Sequence, residues 1–148
     1  MALPQTDVQT VVHSIQLSVA PVFLLSGVGV LLGVLTNRLS RIIDRARPLE
    51  EEFERSEGHA AEALRQRLTA LSRRARLINA AITLSTISAL LVATVVALLF
   101  ASAFVEFRLA LAVAALFVAS MLALVGALIA FLVEVRIATV TIRIGPHR

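Results

Sequence analysis

Long apolar runs alternate with a single charged stretch along this chain. No Asp, Glu, Lys or Arg occurs between Asp7 and Arg38, between Arg76 and Glu106, or between Arg108 and Glu134. Each gap exceeds the ~20 residues a helix needs to cross ~30 Å of hydrocarbon. Stretches such as "ALLVATVVALLFASAF" are apolar on every face, whereas membrane strands alternate between two faces. The pattern predicts an all-α integral membrane protein forming a single membrane domain over residues 1–148. Its spans cover 8–37, 77–105 and 109–133, residues 38–76 join the first two spans, and 134–148 form a tail. Thr6 and Gln9 have capping-box spacing, which places the first helix start near Thr6 or Asp7.

The charged stretch has a period of its own. Leu39, Ile42, Ala46, Leu49 and Phe53 are spaced three and four apart, as are Leu64, Leu68, Leu71, Ala75 and Ile78. Both are heptad seams. One antiparallel register pairs Leu39 with Ile78, Ile42 with Ala75, Ala46 with Leu71, Leu49 with Leu68, and Phe53 with Leu64. The reading is a cytoplasmic antiparallel helical hairpin, a short coiled coil projecting ~30 Å at 1.5 Å per residue. Its turn falls near 58–59, where Gly58 can adopt the left-handed conformation that ends a helix. Pro48 either kinks the outgoing arm or breaks it and starts a fresh helix.

Charge fixes the expected orientation. Residues 37–76 hold ten arginines and seven acids, whereas the first ten residues contain no Arg or Lys. Basic residues near span ends stay on the cytoplasmic side, so the N-terminus is expected in the periplasm and the C-terminus in the cytoplasm. Arg38, Arg41, Arg45, Arg47, Arg73, Arg74 and Arg76 form a collar at the membrane, suited to anionic headgroups at ~1 kcal/mol per residue. Glu50, Glu51, Glu52, Glu54 and Glu57 lie towards the tip. Phe53 is the only aromatic residue in this segment and fits the seam, which argues against nucleic acid as a partner. At 58% hydrophobic residues and a mean hydropathy of +0.88, the chain lies outside the range of soluble domains. A cleaved signal peptide does not fit a first apolar stretch of this length that lacks a basic start.

The most suggestive motif, "GVGVLLG", lacks the strand before it, the helix opening after it and the lysine of a phosphate loop. Mid-span glycines instead permit close helix approach. Ser26, Gly29, Gly33, Thr36 or Asn37, and Ser40 make one small-residue stripe. Asn79, Thr83, Thr86, Ala93 and Ala97 make a second; Ala112, Ala115, Ala119, Gly126 and Ala130 make a third. These faces are expected to pack within the subunit, between subunits, or both. Glu134 and Arg136 are expected to snorkel to the interface, and Glu106 and Arg108 to bracket the outer turn. His13, His59 and His147 are too scattered to form a metal site, and the chain has no cysteine. No catalytic, cofactor or metal residues are assigned, and an enzyme is not expected.

The run Ala20–Gly27, "APVFLLSG", followed by "RLSRIIDR" at Arg38–Arg45, resembles a family of small bacterial inner-membrane proteins, domain of unknown function 2721. The resemblance implies three membrane helices and brings no activity, substrate or catalytic residue. The expected role is a scaffold, accessory or assembly subunit, a homo-oligomer or member of a larger complex. The alternative is a homo-oligomeric ion channel lined by the Ser/Gly/Thr stripe of span 1 or span 2. If the hairpin register holds, a cysteine pair at positions 49 and 68 crosslinks efficiently and a pair at 49 and 64 poorly; equal yields would refute the register.

Overall fold

The computed structural model describes residues 5–101 and 110–140. They form α1 (Gln5–Glu54), α2 (His59–Ala101) and α3 (Ala110–Val140), with no strand among the described residues. All three helices are long and apolar enough to cross a membrane. Glu106, Arg108, Arg143, His147 and Arg148 lie outside the described residues.

At 50 and 43 residues, α1 and α2 are about twice the length a bilayer requires. α1 starts within two residues of the capping-box position. It then runs unbroken through both Pro21 and Pro48, so the alternative of a fresh helix at Pro48 is not taken. Each proline removes one backbone donor, freeing the carbonyl four residues earlier. For Pro48 that carbonyl belongs to the exposed Asp44, where solvent can satisfy it.

The turn falls earlier than its sequence signal. α1 ends at Glu54, and residues 55–58 connect it to α2. The amides of Arg55 and Ser56 donate to the carbonyls of Glu52 and Phe53 at 3.2 Å each, and Ser56 Oγ donates to Glu52 O at 2.7 Å. Glu50, Glu51, Glu52 and Glu54 crowd the negative end of the α1 dipole, where acids are unfavourable. Gly58 does take a left-handed conformation, with φ +67°. It opens α2 rather than closing α1, however, since its carbonyl accepts the amide of Glu62 at 3.3 Å. Glu62 also places an acid in the first turn of α2, where the dipole favours it.

Buried positions recur every seven residues on each helix. On α1 they are Pro21, Val28, Leu35 and Ile42. On α2 they form two rows, Ile78–Ser85–Val92 and Ala81–Ser88–Val95, and on α3 one, Ser120–Ala127–Glu134. A seven-residue repeat keeps one face of each helix inward.

The chain divides into two compact units. The first comprises residues 1–31 and 84–125 and is joined through small residues. Ser88 Oγ donates to the carbonyl of Ser120 across α2 and α3 at 2.9 Å, and Ser120 Oγ donates to Phe117 O at 2.7 Å. Interhelical bonds of this kind contribute about 0.6 kcal/mol in membrane proteins.

The second unit comprises residues 32–83 and 126–148. Its core holds Leu35, Ile42, Leu64, Ile78, Ala81, Ala127 and Glu134. Between α1 and α2 lies an open groove of about 610 Å³, floored by Ile42, Ala46, Leu68, Leu71 and Ala75.

A Cβ at Gly58 would meet no atom within 4 Å, so the cost of substitution there is purely conformational. Gly58→Ala is expected to destabilise the protein by about 1–2 kcal/mol, read as a lower unfolding midpoint in detergent. Gly33→Ala, in helical backbone, serves as the control without that loss.

Candidate functional site

In the second unit one carboxylate is held by all three helices. Glu134, on α3, is completely buried. Arg74 of α2 donates to Glu134 Oε1 through both Nε, at 3.1 Å, and Nη2, at 2.9 Å. Arg38 of α1 brings Nη2 to 3.5 Å from Oε2. The Arg38 guanidinium also lies 5.2 Å over the ring of Phe131, three residues before Glu134 on the same face of α3.

Burying an isolated carboxylate costs several kcal/mol even after relaxation. Two charge-assisted bonds from a planar guanidinium to one oxygen offset much of that. The remaining oxygen is less well served: Oε2 is buried without a hydrogen-bond partner, and Arg38 meets it by charge alone. Arg74 is mostly buried, its side chain 18% exposed, whereas that of Arg38 is 33% exposed. The cluster is thus asymmetric. Arg74 is the tight partner, and Arg38 is an outer one supported by an aromatic face.

This arrangement departs from the sequence reading of Glu134 as a snorkelling residue. Arg136 is exposed, but Glu134 occupies the heptad row of Ser120 and Ala127, which points into the bundle. That row was the available signal: the only acid of α3 falls in phase with two small residues at seven-residue steps. Of the expected lipid collar, Arg38 and Arg74 turn inward to Glu134, while Arg41, Arg45, Arg47, Arg73 and Arg76 are exposed.

The other sequence candidates fall into two groups. Among the seam residues, Ile42, Leu64 and Ile78 are buried, Leu39, Ala46, Leu49, Leu68, Leu71 and Ala75 are half-buried, and Phe53 is exposed. The small-residue stripes behave differently. Ser26, Gly29 and Thr86 in the first unit, and Gly33, Thr36, Asn79 and Thr83 in the second, are all exposed. A Cβ at Gly27, Gly29 or Gly33 would meet nothing within 4 Å. Among the described residues, these α1 glycines therefore make no close approach to another helix. The hydroxyls bond along their own helix, Thr36 to Leu32 O and Thr83 to Asn79 O at 2.8 and 2.9 Å, which keeps them satisfied away from water. On α2 the interior contacts are instead made by Ser85 and Ser88, one register over from the stripe.

His13 and His59 are exposed. Among the described residues no three His, Cys, Asp or Glu side chains gather as a metal site would require. The chemistry available at the cluster is charge pairing and guanidinium hydrogen bonding.

Arg74→Ala leaves a buried carboxylate without its hydrogen bonds, a change that typically costs about 3–5 kcal/mol. Arg38→Ala removes a longer contact from a partly solvated side chain, where pairs contribute about 0–1 kcal/mol. Thermal unfolding in detergent is expected to rank Arg74→Ala well below Arg38→Ala. Pairing Arg74→Leu with Glu134→Leu should recover much of the loss, and the reverse ranking would contradict the asymmetry.

No curated protein and no solved structure matches the chain. A family model does match, over residues 18–144, from the buried Ser18 through all three helices and the Glu134 cluster. The chain belongs to DUF2721, a protein family of unknown function.

Proposed function

We propose that this is a non-enzymatic, multi-pass protein of the bacterial inner membrane that acts as a scaffold or assembly subunit through outward-facing small-residue helix surfaces. The observation that carries this reading is the placement of Gly29 and Gly33. Both stand exposed, with no neighbour within 4 Å of a Cβ among the described residues. A GxxxG pair favours close helix contact where lipid offers no hydrophobic drive between helices, and in this reading another chain supplies that contact. The apolar windows of α1, α2 and α3 are only 17, 22 and 11% buried, so most of their surface is available to lipid and to other subunits.

In this reading the N-terminus is periplasmic and the C-terminus cytoplasmic, following the arginine distribution. The polar halves of α1 and α2 form an antiparallel cytoplasmic hairpin, a short coiled coil on the heptad seam. The exposed Arg41, Arg45 and Arg73 meet anionic headgroups at its base, with Arg38 and Arg74 reserved for Glu134. Arg73 and Arg76 join Thr69, Leu77 and Val133 in lining a pocket of about 440 Å³. Asn79, Thr83 and Thr86, exposed on α2, favour the second reading, a homo-oligomeric channel lined by that stripe or by the one on α1.

Gly33→Leu leaves the interior untouched and should lower the size of the assembly in size-exclusion chromatography, with helix content preserved. Leu31→Ala should have the smaller effect; the opposite order would remove the packing role. Ion flux through reconstituted vesicles, abolished by a bulky residue at Thr83, would replace the scaffold with the channel.

A further inference from the structure

The groove between α1 and α2 continues a pattern that the described residues leave unused. On α1, Gly33, Thr36, Ser40, Ile43, Arg47 and Glu50 are spaced three and four apart, and all six are exposed. On α2, Arg65, Thr69, Ser72, Arg76, Asn79 and Thr83 have the same spacing and are likewise exposed. Ile43, Arg47 and Glu50 line the groove from one side, and Arg65, Thr69, Ser72 and Arg76 from the other. Each helix thus carries a second heptad row beside the one it uses within the chain. Heptad rows on two neighbouring helices, flanking an apolar floor, are the surface on which further helices pack knobs into holes.

We propose that this face binds the same face of a second copy of the protein, forming a four-helix bundle from two hairpins about a two-fold axis along the groove. The inference rests on the self-assembly reading above and names its partner and register.

Three observations select a second copy. The groove floor is apolar, and Ile43 and Phe53 stand 43 and 37% exposed at its edge, in a segment whose flanking charges place it in water. Apolar surface of this kind calls for a protein cover. The face carries Glu50 beside Arg47, Arg65 and Arg76, and of these Glu50 and Arg65 form a self-complementary pair. Glu50 lies four residues before the end of α1 and Arg65 six residues after the start of α2, at nearly the same height above the turn. Neither enters an ion pair among the described residues. A two-fold axis sets α1 of one copy beside α2 of the other, which brings Glu50 against the second copy's Arg65, twice. Finally, two copies inserted in one bilayer with the same orientation have their heights already matched, the condition an isologous contact requires. The same match puts Thr36 level with the second copy's Asn79, where both can hydrogen-bond.

The absence of native cysteine makes the test direct. In membranes containing the full chain, Ser72→Cys places a thiol inside the groove, and Ala70→Cys places one at the same depth but outside it. Mild oxidation is expected to give several-fold more disulfide dimer from Ser72→Cys. In the Ser72→Cys background, Glu50→Arg should lower the yield and Glu50→Arg with Arg65→Glu should restore it. Equal dimer yields at the two positions, or indifference to Glu50→Arg, would overturn the proposal. Size-exclusion of the same samples separates the two levels. An oligomer without Ser72 crosslinks removes this face and leaves self-assembly standing, whereas a monomer removes both.

Discussion

A single buried carboxylate sets the terms for the rest of the second unit. Glu134 has no exposure, and a carboxylate so placed must be paired or it becomes a liability of several kcal/mol. Arg74 supplies two hydrogen bonds and Arg38 a further positive charge. Because these groups come one from each helix, the pairing specifies which faces of α1, α2 and α3 meet and at what height. Hydrophobic contact alone discriminates weakly among rotations of helices that are apolar all round. The ion cluster supplies that discrimination, in the way a buried polar residue fixes register in a coiled coil.

The interior is otherwise economical. Rows of small and branched residues at seven-residue steps fill the contacts, and Ser88 and Ser120 bridge α2 and α3 in the first unit. That leaves each helix with a large outward surface, and on α1 and α2 part of it repeats with the same period as the inside. In our account this surplus is functional. One heptad row per helix folds the chain, and the next joins it to a second copy. The headgroup contacts we propose fall to Arg41, Arg45 and Arg73, outside the groove.

Much of the architecture was legible beforehand, because it rests on strong local signals. Uncharged runs longer than a bilayer crossing, and three–four spacing around Ile42, Leu64 and Ile78, are read directly from the chain. The connection at residues 55–58 contains Gly58, a cue for either end of a helix, which here opens α2. The snorkelling expectation for Glu134 fails because it rests on residue type, whereas the outcome depends on helical phase. The small-residue stripes leave packing within or between subunits open by type, and phase again decides which way they face. Ser120, Ala127 and Glu134 share a phase that faces inward; Gly29 and Gly33 share one that faces out. Pairing Glu134 with Arg74 also requires contacts sixty residues apart in sequence, which no local pattern encodes.

The measurement that bears most directly on this account is the mass of the complex released gently from native membranes, with bound species retained. The account predicts an even multiple of the 15.9 kDa chain, carrying anionic lipid. A lone chain with every outward face occupied by lipid would contradict it.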